Sequence, residues 1–192
     1  RVATWVNQTP GLIPWVKDRV GQPLSGWQAF GDWSSSPAQT DEEYFLDEHV
    51  RLKGPGLGEA GTLDVEAGIN SLRAILNAPK GAIRLVGLSG VGKTRMVQAL
   101  FDERIGQGAL QTTLAVYTDL ADTPDPVPSE LLVRLQNLGQ RCILIVDNCG
   151  IDLHKKLVSR LQKSEAPISV VTVEYDIADE TPEHTDVFKL EP

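Results

Sequence analysis

The residues whose types and spacing carry chemistry begin at Gly87. Gly87-Leu88-Ser89-Gly90-Val91-Gly92-Lys93-Thr94 fits G-x-x-x-x-G-K-[ST] at every fixed position. A triphosphate brings several negative charges into a small volume, and this pattern answers that need. Gly90 and Gly92 leave the backbone free to turn its N–H groups inward as a nest. A helix starting at the end of the loop aims its positive end at the phosphates. Lys93 places an ammonium between the β and γ groups. The Thr94 hydroxyl is a hard oxygen ligand for Mg²⁺. The candidate nucleotide-binding residues are therefore Gly87, Ser89, Gly90, Val91, Gly92, Lys93, Thr94 and Arg95.

A second signal lies downstream. Ile143-Leu144-Ile145-Val146-Asp147-Asn148 is an aliphatic strand that ends in Asp, the Walker B pattern. In open α/β sheets ligands bind at the carboxyl edge of the strands. Asp147 is expected to hold Mg²⁺ through its water shell, opposite Thr94. Lys93, Asp147 and Asn148 form the candidate catalytic set. Asn148 stands where hydrolases of this kind often place a carboxylate to polarise water, and an amide is no proton acceptor at neutral pH. Either hydrolysis is slow or another group activates water. Asp119 and Asp152 are the carboxylates considered for that role, and Asn148→Asp is expected to match or raise turnover.

The elements that must position these residues alternate regularly. Thr62 or Asp64 caps a helix running to about Asn77, with Val65, Ile69, Leu72, Ile75 and Leu76 on one stripe. The pattern then predicts strands over 82–86, 114–120, 142–146, 168–173 and 187–190. Helices are predicted over 94–105, 129–138, with Ser129 as cap, and 152–164, with Leu153, Leu157, Val158 and Leu161 inward. Uninterrupted aliphatic strands between amphipathic helices indicate a parallel sheet covered on both faces. Arg84, inside the first of these strands, reads as a structural residue, either salt-bridged and buried or on a short, half-exposed strand. Lys155, Lys156, Arg160 and Lys163 read as a solvated helix face.

Residues 1–40 differ. They hold all four Trp (Trp5, Trp15, Trp27 and Trp33) among many Gly, Pro and Ser, and a strand over 1–6 and a short helix over 11–19 are expected. They are expected to be the tail of an upstream domain or a linker, with the Trp packed as core. The glycine-rich stretch over 54–61 lacks a Lys and phosphate-loop spacing, and reads as a connection.

Composition sets the bounds. The chain has 192 residues, 41% hydrophobic and 23% charged, as a globular domain does, which excludes a wholly disordered chain. A net charge of −8 argues against a general nucleic-acid coat. No apolar run is long enough for a transmembrane helix. Cys142 and Cys149 lie too near each other on one extended segment to bridge, and are expected to be reduced, buried thiols in a cytoplasmic protein. His49, His154 and His184 have no metal-ligand spacing. A chain running from Arg1 to Pro192 is expected to be a piece of a longer protein.

In order, Gly87–Thr94, Ile143–Asp147, Val170-Val171-Thr172-Val173 and Val187–Pro192 resemble the core of STAND-type signal-transduction NTPases, which include NACHT and NB-ARC switches. The resemblance covers roughly residues 62–192. It implies ATP and ADP as ligands, a signalling or bacterial-defence role, flanking domains of the same chain as partners and a homo-oligomer on activation. It also implies an adenine clasp, for which the stretch Val50-Arg51-Leu52 and the helix from Asp64 to Asn77 are the candidates. In NB-ARC members a strand ending in Thr-Thr-Arg reads the phosphates. Here Thr172-Val173-Glu174 stands there; Glu174 cannot do the arginine's work, while the Thr172 hydroxyl can approach the γ-phosphate.

The expected fold is a three-layer α/β P-loop NTPase, ASCE/AAA+-like, with a mostly parallel sheet flanked by helices and an N-terminal ancillary segment. Residues 41–192 are expected to form the core. The expected function is a Mg²⁺-dependent ATP/ADP switch with slow hydrolysis. The rival readings are an AAA+-type turnover ATPase and a non-hydrolysing nucleotide-binding scaffold.

Overall fold

The structure, a computed structural model, describes residues 24–34, 49–55, 61–175 and 180–192. The strand expected over 1–6 and the helix over 11–19 lie outside these residues, as does most of the glycine-rich stretch.

The described residues form a seven-stranded sheet. Its strands are β1 (Gln28–Ala29), β2 (Arg51–Lys53), β3 (Ala82–Gly87), β4 (Ala115–Asp119), β5 (Cys142–Asp147), β6 (Ile168–Glu174) and β7 (Asp186–Glu191), in the order β1-β4-β5-β6-β3-β7-β2. The five central strands pair in parallel, while β1 and β2 close the two edges in antiparallel pairings. Every residue of β3 and β5 is buried, which explains the aliphatic run of β5 and an apolar β3 interrupted only by Arg84.

Helices cover both faces. α1 (Phe30–Ser34), α2 (Val65–Asn77) and α3 (Lys93–Ala99) lie on one; α4 (Pro128–Leu138) and α5 (Ile151–Gln162) lie on the other. The stripe of α2 is as expected: Val65, Ile69, Leu72 and Leu76 are buried, and the Asp64 carboxylate caps the helix by accepting from the Ala67 N–H at 2.7 Å. α4 begins one residue earlier than expected. Val127 is its cap and Pro128 its first residue, where a missing N–H costs nothing, so Ser129 is not the cap.

α3 is shorter than the helix expected over 94–105. It ends because its terminal carbonyls find a partner outside the helix. The buried Arg73 guanidinium, reaching across from α2, donates to the carbonyls of Ala99, Leu100, Asp102, Ile105 and Gln107. Five acceptors on one side chain stabilise an irregular turn in place of two more helical turns. Burial lowers the Arg73 pKa, opposed by the charge of Asp102.

Residues 24–34, expected to be tail or linker, pack on this same sheet. Trp27 and Trp33 are buried, and β1 extends the sheet beside β4. The Trp27 indole N–H donates to the Pro126 carbonyl at 2.8 Å, and the Thr118 hydroxyl donates to the Gly26 carbonyl at 2.6 Å.

Candidate functional site

The loop between β3 and α3 leaves the carboxyl edge of the sheet. Gly90 and Gly92 have φ of +81° and +90°, a left-handed backbone that Gly adopts without steric cost. Gly92 is itself the residue from which α3 starts. Lys93 turns back over the loop, and its Nζ donates to the carbonyls of Gly87 at 2.8 Å and Leu88 at 2.7 Å. The ammonium is thus held at the loop's mouth, where a phosphate oxygen can replace a carbonyl as its acceptor. Burial lowers the Lys93 pKa; the charges of Asp147 and then Glu174 oppose the shift.

Across the cleft, Asp147 ends β5 and is buried. Its Oδ2 accepts from the Thr94 hydroxyl at 2.6 Å and from the Tyr117 hydroxyl at 3.4 Å, and its Oδ1 accepts from the Asn148 N–H at 2.9 Å. Burial raises the Asp147 pKa, and the hydrogen bonds from Thr94, Asn148 and Tyr117 hold it down in part. Tyr117 is pushed well above the ordinary phenol range, first by burial and then by the charge of Asp147.

The structure brings Ser89, Gly90, Gly92, Lys93, Thr94 and Arg95 together with Asp147 and Asn148 around one cleft of about 340 Å³. Gly87 does not line the cleft; it passes close to β7, where a Cβ would stand 2.5 Å from the Leu190 carbonyl oxygen. Val91 instead packs against the apolar core. The donor set fits a Mg²⁺–nucleotide. Thr94 and Asp147, joined by a 2.6 Å hydrogen bond, are the two hard oxygen donors that would hold Mg²⁺, which takes its remaining ligands from phosphate and water. Among the described residues no cluster of three or more His, Cys, Asp or Glu offers a separate metal cage.

Asn148 lines the cleft, where its side chain is already engaged. Its backbone is left-handed, with φ of +53°, and its side-chain amide donates to Asp119 Oδ1 at 2.7 Å. Asp119 faces Asp147 across the β4–β5 pairing, and its Oδ1 also accepts from the Ala121 N–H at 2.9 Å. A carboxylate at position 148 would meet Asp119 as a like charge. Asp152 lies in the first turn of α5, away from the residues that line the cleft.

Thr172 is placed away from phosphate. It is fully buried, and its hydroxyl is 2.7 Å from Nδ1 of His154, also fully buried. Nε2 of His154 is 2.9 Å from the Thr185 hydroxyl, which donates to the Glu183 carbonyl at 3.2 Å. Thr185 therefore accepts from Nε2–H, and Nδ1 accepts from Thr172. Burial holds the His154 pKa down to about 4, aided by the charges of Arg84 and Lys155. Arg84 is buried, which selects the first of its two structural readings over the half-exposed strand. It donates from Nη1 to the Cys149 carbonyl at 2.9 Å, and its Nη2 lies 3.9 Å from the Glu174 carboxylate. Both cysteines are free and buried, their thiols pushed up to about 12 by burial.

The sequence reading missed three participants. Tyr117 reaches Asp147 from β4. Trp33 stacks on the Tyr117 ring at 4.3 Å and 11° between planes, and its carbonyl accepts from Gln98 of α3 at 3.3 Å. Glu174 also lines the cleft. The clustering of Trp in the first 40 residues was the available signal for Trp33. The two candidate adenine-clasp segments meet: Leu52 of β2 exchanges backbone hydrogen bonds of 2.9 Å with Leu63 and packs in one apolar cluster with Val65 and Ile69 of α2, but neither segment lines the cleft.

No family model matches the chain, and no curated protein matches it. Solved structures give remote matches. C. elegans PCH-2 is 12% identical over 60% of this chain and 36% of its own, with a TM-score of 0.39. Rhizobiales Trip13 is 15% identical over 79% of this chain and 66% of its own, with a TM-score of 0.45. The E. coli MS115-1 HORMA:CdnC:Trip13 complex matches at 13% identity over 83% of this chain and 63% of that one, with a TM-score of 0.39. The chain thus spans between about a third and two thirds of the chains it matches. These three structures are of PCH-2 and Trip13 proteins and none is of a STAND switch, which corrects the resemblance to NACHT and NB-ARC cores. Among the described residues no helix is long and apolar enough to cross a membrane.

Proposed function

We propose that the chain binds a nucleoside triphosphate with Mg²⁺ at the loop of residues 87–94 and hydrolyses it, as an AAA+-type P-loop ATPase. One observation carries this reading: Thr94, next to the loop lysine, and Asp147, at the end of a different strand, meet at 2.6 Å. Their meeting has a reason if both serve one cation. The strand order supports the ASCE arrangement, since β6 stands between the strand leading into the loop and the strand ending in Asp147. The unit proposed is the core of residues 41–192, with residues 24–34 completing one sheet edge.

Within this reading Lys93 and the loop backbone hold the β and γ phosphates, and Arg95 and Ser89 line the approach. Thr94 and Asp147 hold Mg²⁺, which neutralises charge that develops on the phosphates. Asn148 fixes Asp119 rather than moving a proton. A carboxylate in the cleft, Glu174, favours a hydrolysing enzyme over a binding scaffold.

The test is titration of ATP into the chain with and without Mg²⁺. Wild-type affinity should rise at least about tenfold with Mg²⁺, roughly 1.4 kcal/mol. Asp147→Ala should lose that gain and keep its metal-free ADP affinity. An unchanged Mg²⁺ dependence in Asp147→Ala would make Asp147 a plain strand-end residue.

A further inference from the structure

Asn148 leaves the cleft without the carboxylate that hydrolysis calls for, and the neighbouring strand supplies one. Glu174 ends β6, which lies between β5 and β3. It is in register with Val86, the residue just before the phosphate loop, and two positions beyond Thr172, which pairs with Val146. Its side chain lines the same cleft as Lys93, Thr94 and Asp147.

The surroundings leave this carboxylate poised. Its one ion-pair partner among the described residues, Arg84, stands at 3.9 Å, beyond hydrogen-bond length, so the guanidinium steadies the charge without occupying an oxygen. Arg84 is itself held from behind by the Cys149 carbonyl. Gly150 leaves the space beside it open: a Cβ there would stand 3.7 Å from Oε2. The side chain is about a quarter exposed, at 23%, so water reaches it.

We propose that Glu174 is the catalytic base of the ATPase reaction, accepting the proton of the attacking water. The proposal rests on the nucleotide-binding reading above. The water oxygen forms a bond to the γ-phosphorus as the bond from that phosphorus to the β,γ-bridging oxygen breaks. The bridging oxygen keeps the electron pair and leaves on ADP. The water proton passes to Glu174 and then to solvent, which restores the carboxylate. Two further carboxylates are worse placed. Asp119 Oδ1 is occupied by the Asn148 amide and the Ala121 N–H, and Asp152 is outside the cleft. Lys93, whose ammonium marks the terminal phosphate, is within electrostatic reach of Glu174 and Asp147.

The experiment compares wild type, E174Q and D119N by calorimetry with ATP–Mg²⁺, by single-turnover hydrolysis and by thermal melting. E174Q should bind ATP–Mg²⁺ within about threefold of wild type, melt as wild type does, and hydrolyse at least about a hundredfold more slowly. E174D keeps the charge but shortens the reach, and should fall between the two; it carries the test should E174Q fold poorly. Hydrolysis by E174Q within about threefold of wild type overturns the proposal. So does loss in D119N with retention in E174Q, or a wild type that binds ATP–Mg²⁺ and never hydrolyses it. A wild type that does not bind ATP–Mg²⁺ is the separate failure of the nucleotide-binding reading, and overturns both.

Discussion

The carboxyl ends of β5 and β6 are neighbours in the sheet and are finished in opposite ways. Asp147 is wired from three sides, by Thr94, Tyr117 and its own following N–H, and is buried. Glu174 has one ion-pair partner at 3.9 Å and keeps contact with solvent. The polar support of β6 lies one layer lower, where Thr172 meets His154 and, through it, Thr185. A metal ligand must hold one position, because Mg²⁺ demands near-ideal geometry. A proton acceptor must reach water and let go of it again. In the proposed roles, Asp147 as Mg²⁺ holder and Glu174 as base, the two strand ends would answer these requirements side by side.

The support beneath β6 is where the largest effect is expected. His154 is neutral when folded, with a pKa held down to about 4 against an ordinary value of 6.5. Above about pH 6.5 the ring is neutral in both folded and unfolded chains and folding carries no penalty. As pH falls through 6.5 towards 4, the unfolded chain takes up a proton that the folded chain refuses, so stability is lost in that window. The loss attributable to His154 should be about 2 kcal/mol between about pH 7.5 and about pH 5. Urea unfolding at those two pH values measures it for wild type and His154→Gln. The variant should have a flatter acid limb; an identical slope in both would mean that His154 titrates normally.

At the end of β5 a smaller effect of opposite origin is expected. Asn148→Asp would replace a 2.7 Å amide-to-carboxylate hydrogen bond by a carboxylate facing Asp119. Stability at neutral pH should fall by about 1 kcal/mol, and added salt should recover part of it. Turnover should not rise, in contrast to what the sequence suggested. Melting in low and high salt, with a hydrolysis assay beside it, checks both. A faster Asn148→Asp enzyme would return the base to β5 and blur the division between the two strand ends.

The contrast also marks what the sequence made legible. The loop of residues 87–94, its helix and the strand ending in Asp147 were readable because each rests on a local pattern: fixed glycines, an aliphatic run, a terminal carboxylate. The parallel sheet followed from the alternation of such patterns, and its strands match those expected to within a residue or two. What stayed hidden depends on pairings between distant segments. Tyr117 reaches Asp147 because β4 and β5 pair in a particular register, and Trp33 reaches Tyr117 because β1 joins that edge. The early end of α3 comes from Arg73, more than twenty positions upstream, whose charge gave no local hint of five carbonyl partners. His154 looked like a helix residue without ligand spacing, and only the packing of α5 on β6 shows it as a buried bridge. Glu174 was noticed for the arginine it is not. Its place in the cleft required knowing that β6 lies between β3 and β5.

The central claim, that residues 87–94 hold nucleotide phosphates, is tested most directly by calorimetric titration of ATP–Mg²⁺ into wild type and Lys93→Ala. Lys93 is a half-buried ammonium at the loop's mouth that, among the described residues, donates to the Gly87 and Leu88 carbonyls alone, so its removal should leave the fold intact. The account predicts ATP–Mg²⁺ binding to wild type and at least about tenfold weaker binding to Lys93→Ala, roughly 1.4 kcal/mol or more. Equal affinity in the two proteins, each with an unchanged melting temperature, would contradict it.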